Sequence, residues 1–250
     1  MSEFLDLSKF SQQSFINKGT FGEVYKVMKN ETKEIFAAKI SLNKLTEEQK
    51  SLITNLKREV DLMSQINHPS ILKFIGYSPI DFNSEYKPVI ITEYSANGSL
   101  AHIMELERRS LSPPLWDDTK KLITLYGISS AMSYLHSHNI IHRDLKPANI
   151  LEDDFLFPKV ADFGLSKMLH TNQDSMTTQS STGFKGTPIY MAPECWDNNE
   201  YSKSTDVYAF AMIAYELLTL EIPFKDFSYV MLCKKVAVNG ERPKLTNVIN

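Results

Sequence analysis

H-R-D-L-K-P-A-N fills residues 142–149, and D-F-G follows at 162–164. The first string sets an aspartate (Asp144), a lysine (Lys146) and an asparagine (Asn149) on one short loop, with Asp162 close behind. Asp144 suits the task of orienting a hydroxyl for in-line attack. Asn149 and Asp162 are oxygen donors, the ligand type that a hard divalent cation prefers. A lone H-R-D would read as a solvated surface loop. The eight-residue string with D-F-G behind it makes chance a poor account.

Together these motifs resemble the signature set of the eukaryotic protein kinases, and the resemblance runs from about residue 15 to about residue 242. It implies that Asp144 orients the substrate hydroxyl, that Lys146 offsets charge on the γ-phosphate, and that Asn149 and Asp162 hold Mg²⁺. N-K-G-T-F-G-E-V at 17–24 is similar to the family's glycine-rich loop over the phosphates of ATP. Gly19, Gly22 and Val24 match it, and Asn17 replaces the first glycine. Asn is the residue next most tolerant of positive φ, so the expectation is a stiffer loop and not a lost site. F-A-A-K at 36–39 supplies Ala37 and Lys39, and K-R-E-V-D-L-M at 57–63 offers Glu59 as the partner of Lys39. An isolated Lys–Glu pair is usually a surface contact worth under about 1 kcal/mol, but here both residues stand at motif positions. Val60, Met63 and Ile66 form the buried stripe of that helix.

I-T-E-Y-S-A-N-G-S-L at 91–100 resembles the hinge. The resemblance makes Glu93, Tyr94, Ser95 and Ala96 the backbone that meets adenine, and Thr92 the small residue that limits pocket depth. Val24, Ala37 and Leu151 match the positions that sandwich adenine; Met63, Phe74, His142 and Phe163 match a stacked spine. His136, His138 and His142 lack an accompanying ligand set for zinc and read as non-ligands.

The implied fold class is α+β, a two-lobed kinase fold. A small, mostly antiparallel β lobe with one key helix is expected at about 10–94, and a larger, mainly helical lobe at about 95–250. Local patterns agree with this plan. Short apolar runs over 15–40, 71–77 and 88–94 read as strands, and Thr46 with Gln49 has capping-box spacing. Leu122, Leu125, Tyr126, Met132 and Leu135 predict the core face of a long helix over 117–138. The segment 206–219 is apolar nearly all round, which predicts a buried helix. The family continues past G-E-R-P at 240–243 through two more helices, whose arginine pairs with the glutamate of A-P-E. On that pattern the C-terminal end is expected to be truncated, Glu194 lacks that partner, and Arg242 lies upstream of it.

A net charge of −3 offers no basic field for nucleic acid. Cys195 and Cys233 give no disulfide framework, which suits a cytoplasmic location. The amino terminus does not read as a signal peptide, no stretch reads as a membrane span, and Ser2 excludes N-myristoylation.

Lys146 and G-T-P-I-Y-M-A-P-E at 186–194, with Thr187 near Asp144 and Lys146, resemble serine/threonine kinases, whereas the hinge resembles tyrosine kinases. This mixture implies the tyrosine-kinase-like group. The expected activity is ATP- and Mg²⁺-dependent phosphorylation of Ser/Thr in protein substrates, in signalling. The alternative is a pseudokinase scaffold that binds nucleotide or partners without turnover, and a small-molecule phosphotransferase is disfavoured by A-P-E. Arg143 before Asp144 implies control by an upstream kinase or by self-phosphorylation in 177–182, with Thr182 first and Thr177, Thr178, Ser180 and Ser181 behind it.

Overall fold

The computed structural model describes residues 4–19, 22–42, 44, 60–162, 167–168, 188–197 and 201–245. The chain divides into two compact units, Met1–Ser95 and Ala96–Asn250. Thr46, Gln49, Glu59, Phe163, Thr187 and the 177–182 segment lie outside the described residues.

The first unit is a five-stranded antiparallel sheet. Its strands are β1 (Phe10–Lys18), β2 (Gly22–Lys29), β3 (Ile35–Ser41), β4 (Phe74–Ser78) and β5 (Val89–Glu93), in the order β1-β2-β3-β5-β4. Alternation drives one face inward, where Val27, Ala38, Val89 and Ile91 are buried with Leu7 and Phe10. β5, flanked by β3 and β4, is buried along Val89–Thr92, whereas β1 is an edge strand, mostly exposed and broken by two register shifts. The residues before β1 join the sheet: Leu5 N–H donates to the Tyr77 carbonyl at 2.9 Å, and the Phe4 ring rests 4.7 Å from that of Tyr77. The described part of helix α1 (60–65) buries Val60, Leu62 and Met63 and exposes Asp61.

The second unit is mainly helical. It contains α2 (Leu100–Arg108), α3 (Asp118–Ser137), α4 (Pro193–Asp197), α5 (Lys203–Thr219) and α6 (Tyr229–Met231), which runs on as a π-helix through Val238. Ser99 caps α2 and Asp117 caps α3 by accepting backbone N–H groups from the first turn. Two short strand pairs carry the loops: β6 (Ile140–Ile141) pairs with β9 (Lys167–Met168), and β7 (Ile150–Glu152) pairs with β8 (Pro158–Val160). A β unit followed by a helical unit is the α+β, two-lobed kinase fold.

Two helices bury different faces from those expected. In α3, Met132 and Leu135 are buried, but Leu122 and Tyr126 are 62% and 76% exposed. The inner face runs instead through Lys121, Thr124, Ile128, Ala131 and Leu135. Its polar members are satisfied there: Lys121 Nζ lies 2.5 Å from Glu107, and the Thr124 hydroxyl donates to Glu152 at 3.1 Å. α5 is not buried all round. Thr205, Asp206, Ala209, Met212, Ile213, Glu216 and Leu217 face inward, while Val207 and Leu218 are exposed among the described residues. Here too the inner face carries polar side chains that bond inside the unit.

Candidate active site

The catalytic loop follows β6, whose Ile140 and Ile141 are buried. Arg143 then takes a left-handed backbone, φ 69°. Asp206, 2% exposed on α5, clamps that turn. Its carboxylate accepts the N–H of His142 at 2.9 Å, the N–H of Arg143 at 3.0 Å and His136 Nε2 at 2.9 Å. His142 is fully buried and donates through Nε2 to the Ala161 carbonyl at 3.0 Å. His138 donates to the Tyr134 carbonyl at 2.8 Å, so the three histidines serve three different partners.

Beyond that turn three polar side chains converge. Lys146 Nζ donates to Asp144 Oδ2 at 2.7 Å, and Asn149 Nδ2 donates to the Asp144 carbonyl at 2.8 Å and to Oδ2 at 3.1 Å. The Asp144 carboxylate is therefore fixed by two donors on its own loop. Asp162 enters from the end of β8, where Ala161 N–H donates to the Asn149 carbonyl at 2.8 Å. Its φ of 64° is a second left-handed, non-glycine backbone flanking this site, of the kind that concentrates where geometry serves function. Leu151 in β7 is half-buried and bridges Ser99.

A cleft in the same unit is lined by Arg143, Asp144, Leu145, Tyr190, Cys195 and Tyr201. The Arg143 guanidinium lies 5.1 Å from the Tyr201 ring, and its Nε has no hydrogen-bond partner among the described residues. Burial holds that guanidinium below its ordinary range and pushes the Cys195 thiol up to about 11, which leaves the thiol inert.

The first unit holds the other candidate residues on adjacent strands. Lys39 in β3 lies opposite Val24 and Ile90, and Ala37 lies opposite Lys26 and Thr92. The β1–β2 hairpin closes with Gly19 N–H on the Gly22 carbonyl at 2.8 Å. At Gly22 an added Cβ would sit 2.6 Å from the Ile40 carbonyl oxygen, so only glycine lets β2 approach β3 this closely. Asn17 is paired with Val24 inside β1 and has no positive φ, so this position makes no demand for glycine. Its side chain accepts the Lys18 N–H at 2.7 Å. Thr92 is buried and donates to the Glu93 carbonyl at 3.1 Å, while Glu93 accepts Lys73 N–H at 2.8 Å. Tyr94 lies under the Lys26 ammonium at 4.9 Å, Ser95 is buried, and Ala96 opens the second unit.

The sequence reading passed over Asp206. The signal for it was present: a carboxylate at the head of an otherwise apolar helix must have buried partners.

The protein kinase domain model matches residues 10–242, so the chain belongs to the protein kinase family. It is 38% identical over 241 residues to serine/threonine-protein kinase VIK of Arabidopsis thaliana, covering 94% of this chain and 51% of that one. It is 31% identical to serine/threonine-protein kinase fused of Drosophila melanogaster, covering 92% and 26%. It is 34% identical to serine/threonine-protein kinase 36 of Mus musculus, covering 90% and 16%. The chain thus spans about half or less of the length of these relatives.

Proposed function

We propose that this chain transfers the γ-phosphate of ATP to serine and threonine hydroxyls of protein substrates. The observation that carries the reading is the Asp144 carboxylate, held 2.7 Å from the Lys146 ammonium and 3.1 Å from the Asn149 amide nitrogen. Asp144 orients the substrate hydroxyl and takes its proton as the oxygen attacks the γ-phosphorus. The bond to the β–γ bridging oxygen breaks, and ADP leaves. Lys146 stands against the charge on the transferred group.

The residues present fit Mg²⁺. With the Asn149 amide nitrogen engaged by Asp144, its oxygen is the atom left for a hard cation, and Asp162 adds a carboxylate. Bound Mg²⁺ supplies neutralisation of phosphate charge. From the first unit, Lys39 with Glu59 would hold the α- and β-phosphates, together with Asn17, Gly19 and Gly22 of the glycine-rich segment. In the first unit Val24 and Ala37 would face adenine, the backbone of 93–95 its edge, and Thr92 would set pocket depth; in the second, Leu151 and Ala96 match the family's adenine positions.

A phosphate placed in 177–182 by an upstream kinase, or by the chain itself, would meet Arg143, whose Nε has no described partner. A cytoplasmic signalling role fits two cysteines that form no disulfide and a net charge of −3. Among the described residues no helix is long and apolar enough to cross a membrane. The pseudokinase alternative gains nothing from Asn17, which occupies an ordinary strand position.

Incubation with γ-labelled ATP, Mg²⁺ and a generic protein, followed by phosphoamino-acid analysis, tests the proposal. Label on serine and threonine is expected; no label, or label confined to tyrosine, contradicts it.

A further inference from the structure

We infer that Lys26 is a positioning residue of the nucleotide site: its ammonium pins the Tyr94 ring, and through it the backbone of 93–95, and so sets affinity for the base of ATP and not for its phosphates. The inference rests on the kinase reading above.

Register places Lys26 on the sheet face proposed to meet the nucleotide. Cross-strand partners share a face, and so do residues two apart in one strand. Val24 pairs with Lys39 and Lys39 with Ile90, while Lys26 pairs with Ala37 and Ala37 with Thr92. These six residues therefore line one face, and the opposite face carries the buried cluster of Val27, Ala38, Val89 and Ile91. Lys39 stands in the row of Val24, and Lys26 in the next row toward Tyr94.

Lys26 and Tyr94 do not sit on neighbouring strands, because β3 lies between β2 and β5. The small Ala37 opposite Lys26 leaves the long stem room to cross, and the ammonium rests 4.9 Å from the centre of the Tyr94 ring. A cation within about 6 Å of a ring centre is attracted by the negative face of the ring. The contact falls where the ladder ends, since Glu93 is the last β5 residue paired with β3. Glu93 is held from the β4 side: its N–H donates to the Lys73 carbonyl at 3.0 Å, and its carboxylate accepts Lys73 N–H at 2.8 Å. Lys26 supplies the hold from the β2 side, one residue further on. The backbone proposed to meet the edge of adenine is thus fastened from two directions, and loss of one weakens contacts to the base first. Lys39 and the glycine-rich residues, proposed for the phosphates, are not part of this contact.

The test titrates wild type, Lys26→Met, Lys26→Arg, Tyr94→Leu and the double variant Lys26→Met with Tyr94→Leu, using adenosine and a non-hydrolysable ATP analogue as probes. KM for ATP and for a generic Ser/Thr peptide is measured beside them. Met keeps the unbranched stem and drops the charge. Lys26→Met is expected to weaken adenosine and the analogue alike, about two- to fivefold, the worth of a partly exposed cation–π contact, with peptide KM unchanged. Lys26→Arg should restore most of that loss, because a guanidinium also stacks on an aromatic face. In the Tyr94→Leu background Lys26→Met should change nothing further, since the ring it acts on is gone. Weaker analogue binding with unchanged adenosine binding would mean direct attraction of the phosphates and would overturn the positioning role. So would an equal loss in both backgrounds, or a lower melting temperature with equal shifts in ATP and peptide KM. A wild-type chain that binds neither probe would instead overturn the nucleotide site beneath it.

Discussion

The Asp206 carboxylate accepts the backbone N–H of Arg143 at 3.0 Å, which fastens the left-handed turn before Asp144 to α5. The two residues are far apart in sequence, so the turn is held by the fold and not by its own loop. Asp206→Asn loses the charge and puts a donor against donors. It should cost about 2–3 kcal/mol, the scale of a charged, buried hydrogen bond, and lower kcat. Urea melts and steady-state rates check this, and a variant with wild-type kcat would show that the turn needs no clamp.

Glu152 predicts a pH dependence of stability. It is fully buried; Oε1 accepts from Thr124 and Oε2 has no partner among the described residues. Burial pushes its carboxyl from an ordinary 4.5 up to about 8, with Asp153 adding to the rise and Lys120 opposing it. The folded state therefore holds the proton more tightly than the unfolded chain. Stability falls as pH rises from about 4.5 to about 8, with a total effect on the order of 5 kcal/mol. Glu152→Gln should flatten that slope and be the more stable protein at pH 8. Parallel denaturation midpoints for the two proteins across this range would contradict the assignment.

Gly22→Ala should distort the strand that carries Lys39. The added Cβ would meet the Ile40 carbonyl oxygen at 2.6 Å, and a backbone atom yields only if β3 shifts. A loss of about 1–3 kcal/mol and weaker nucleotide binding are expected, read by thermal melts and an ATP-analogue titration. Wild-type binding in this variant would mean that Lys39 tolerates the shift.

Phosphorylation within 177–182 should raise activity, and Arg143→Ala should erase that gain while leaving the unphosphorylated rate little changed. Mass spectrometry paired with rate measurements checks this. Full activity with no phosphate in the segment would refute the switch.

The catalytic loop was legible because its contacts are local: Lys146 and Asn149 reach Asp144 across two and five positions. The strands that carry Lys39 and Thr92 were legible as short apolar runs. Burial of the helices was less so. Lys121 and Thr124 face inward because Glu107 and Glu152 await them, and such pairings leave no trace in periodicity. Leu122 and Tyr126 fit a helical stripe equally well and lie outside. The docking of residues 4–5 on β4 depends on a partner at Tyr77, beyond the reach of any local pattern.

The most direct test of the central claim is the rate of γ-phosphate transfer by Asp144→Asn beside wild type at saturating Mg²⁺. Asn can keep one acceptor for Lys146 and Asn149, so the fold should survive, but it takes no proton from the attacking hydroxyl. The rate should fall by about 10²–10⁴, the usual worth of a general base, with ATP affinity and melting temperature unchanged. Transfer at the wild-type rate would contradict the account.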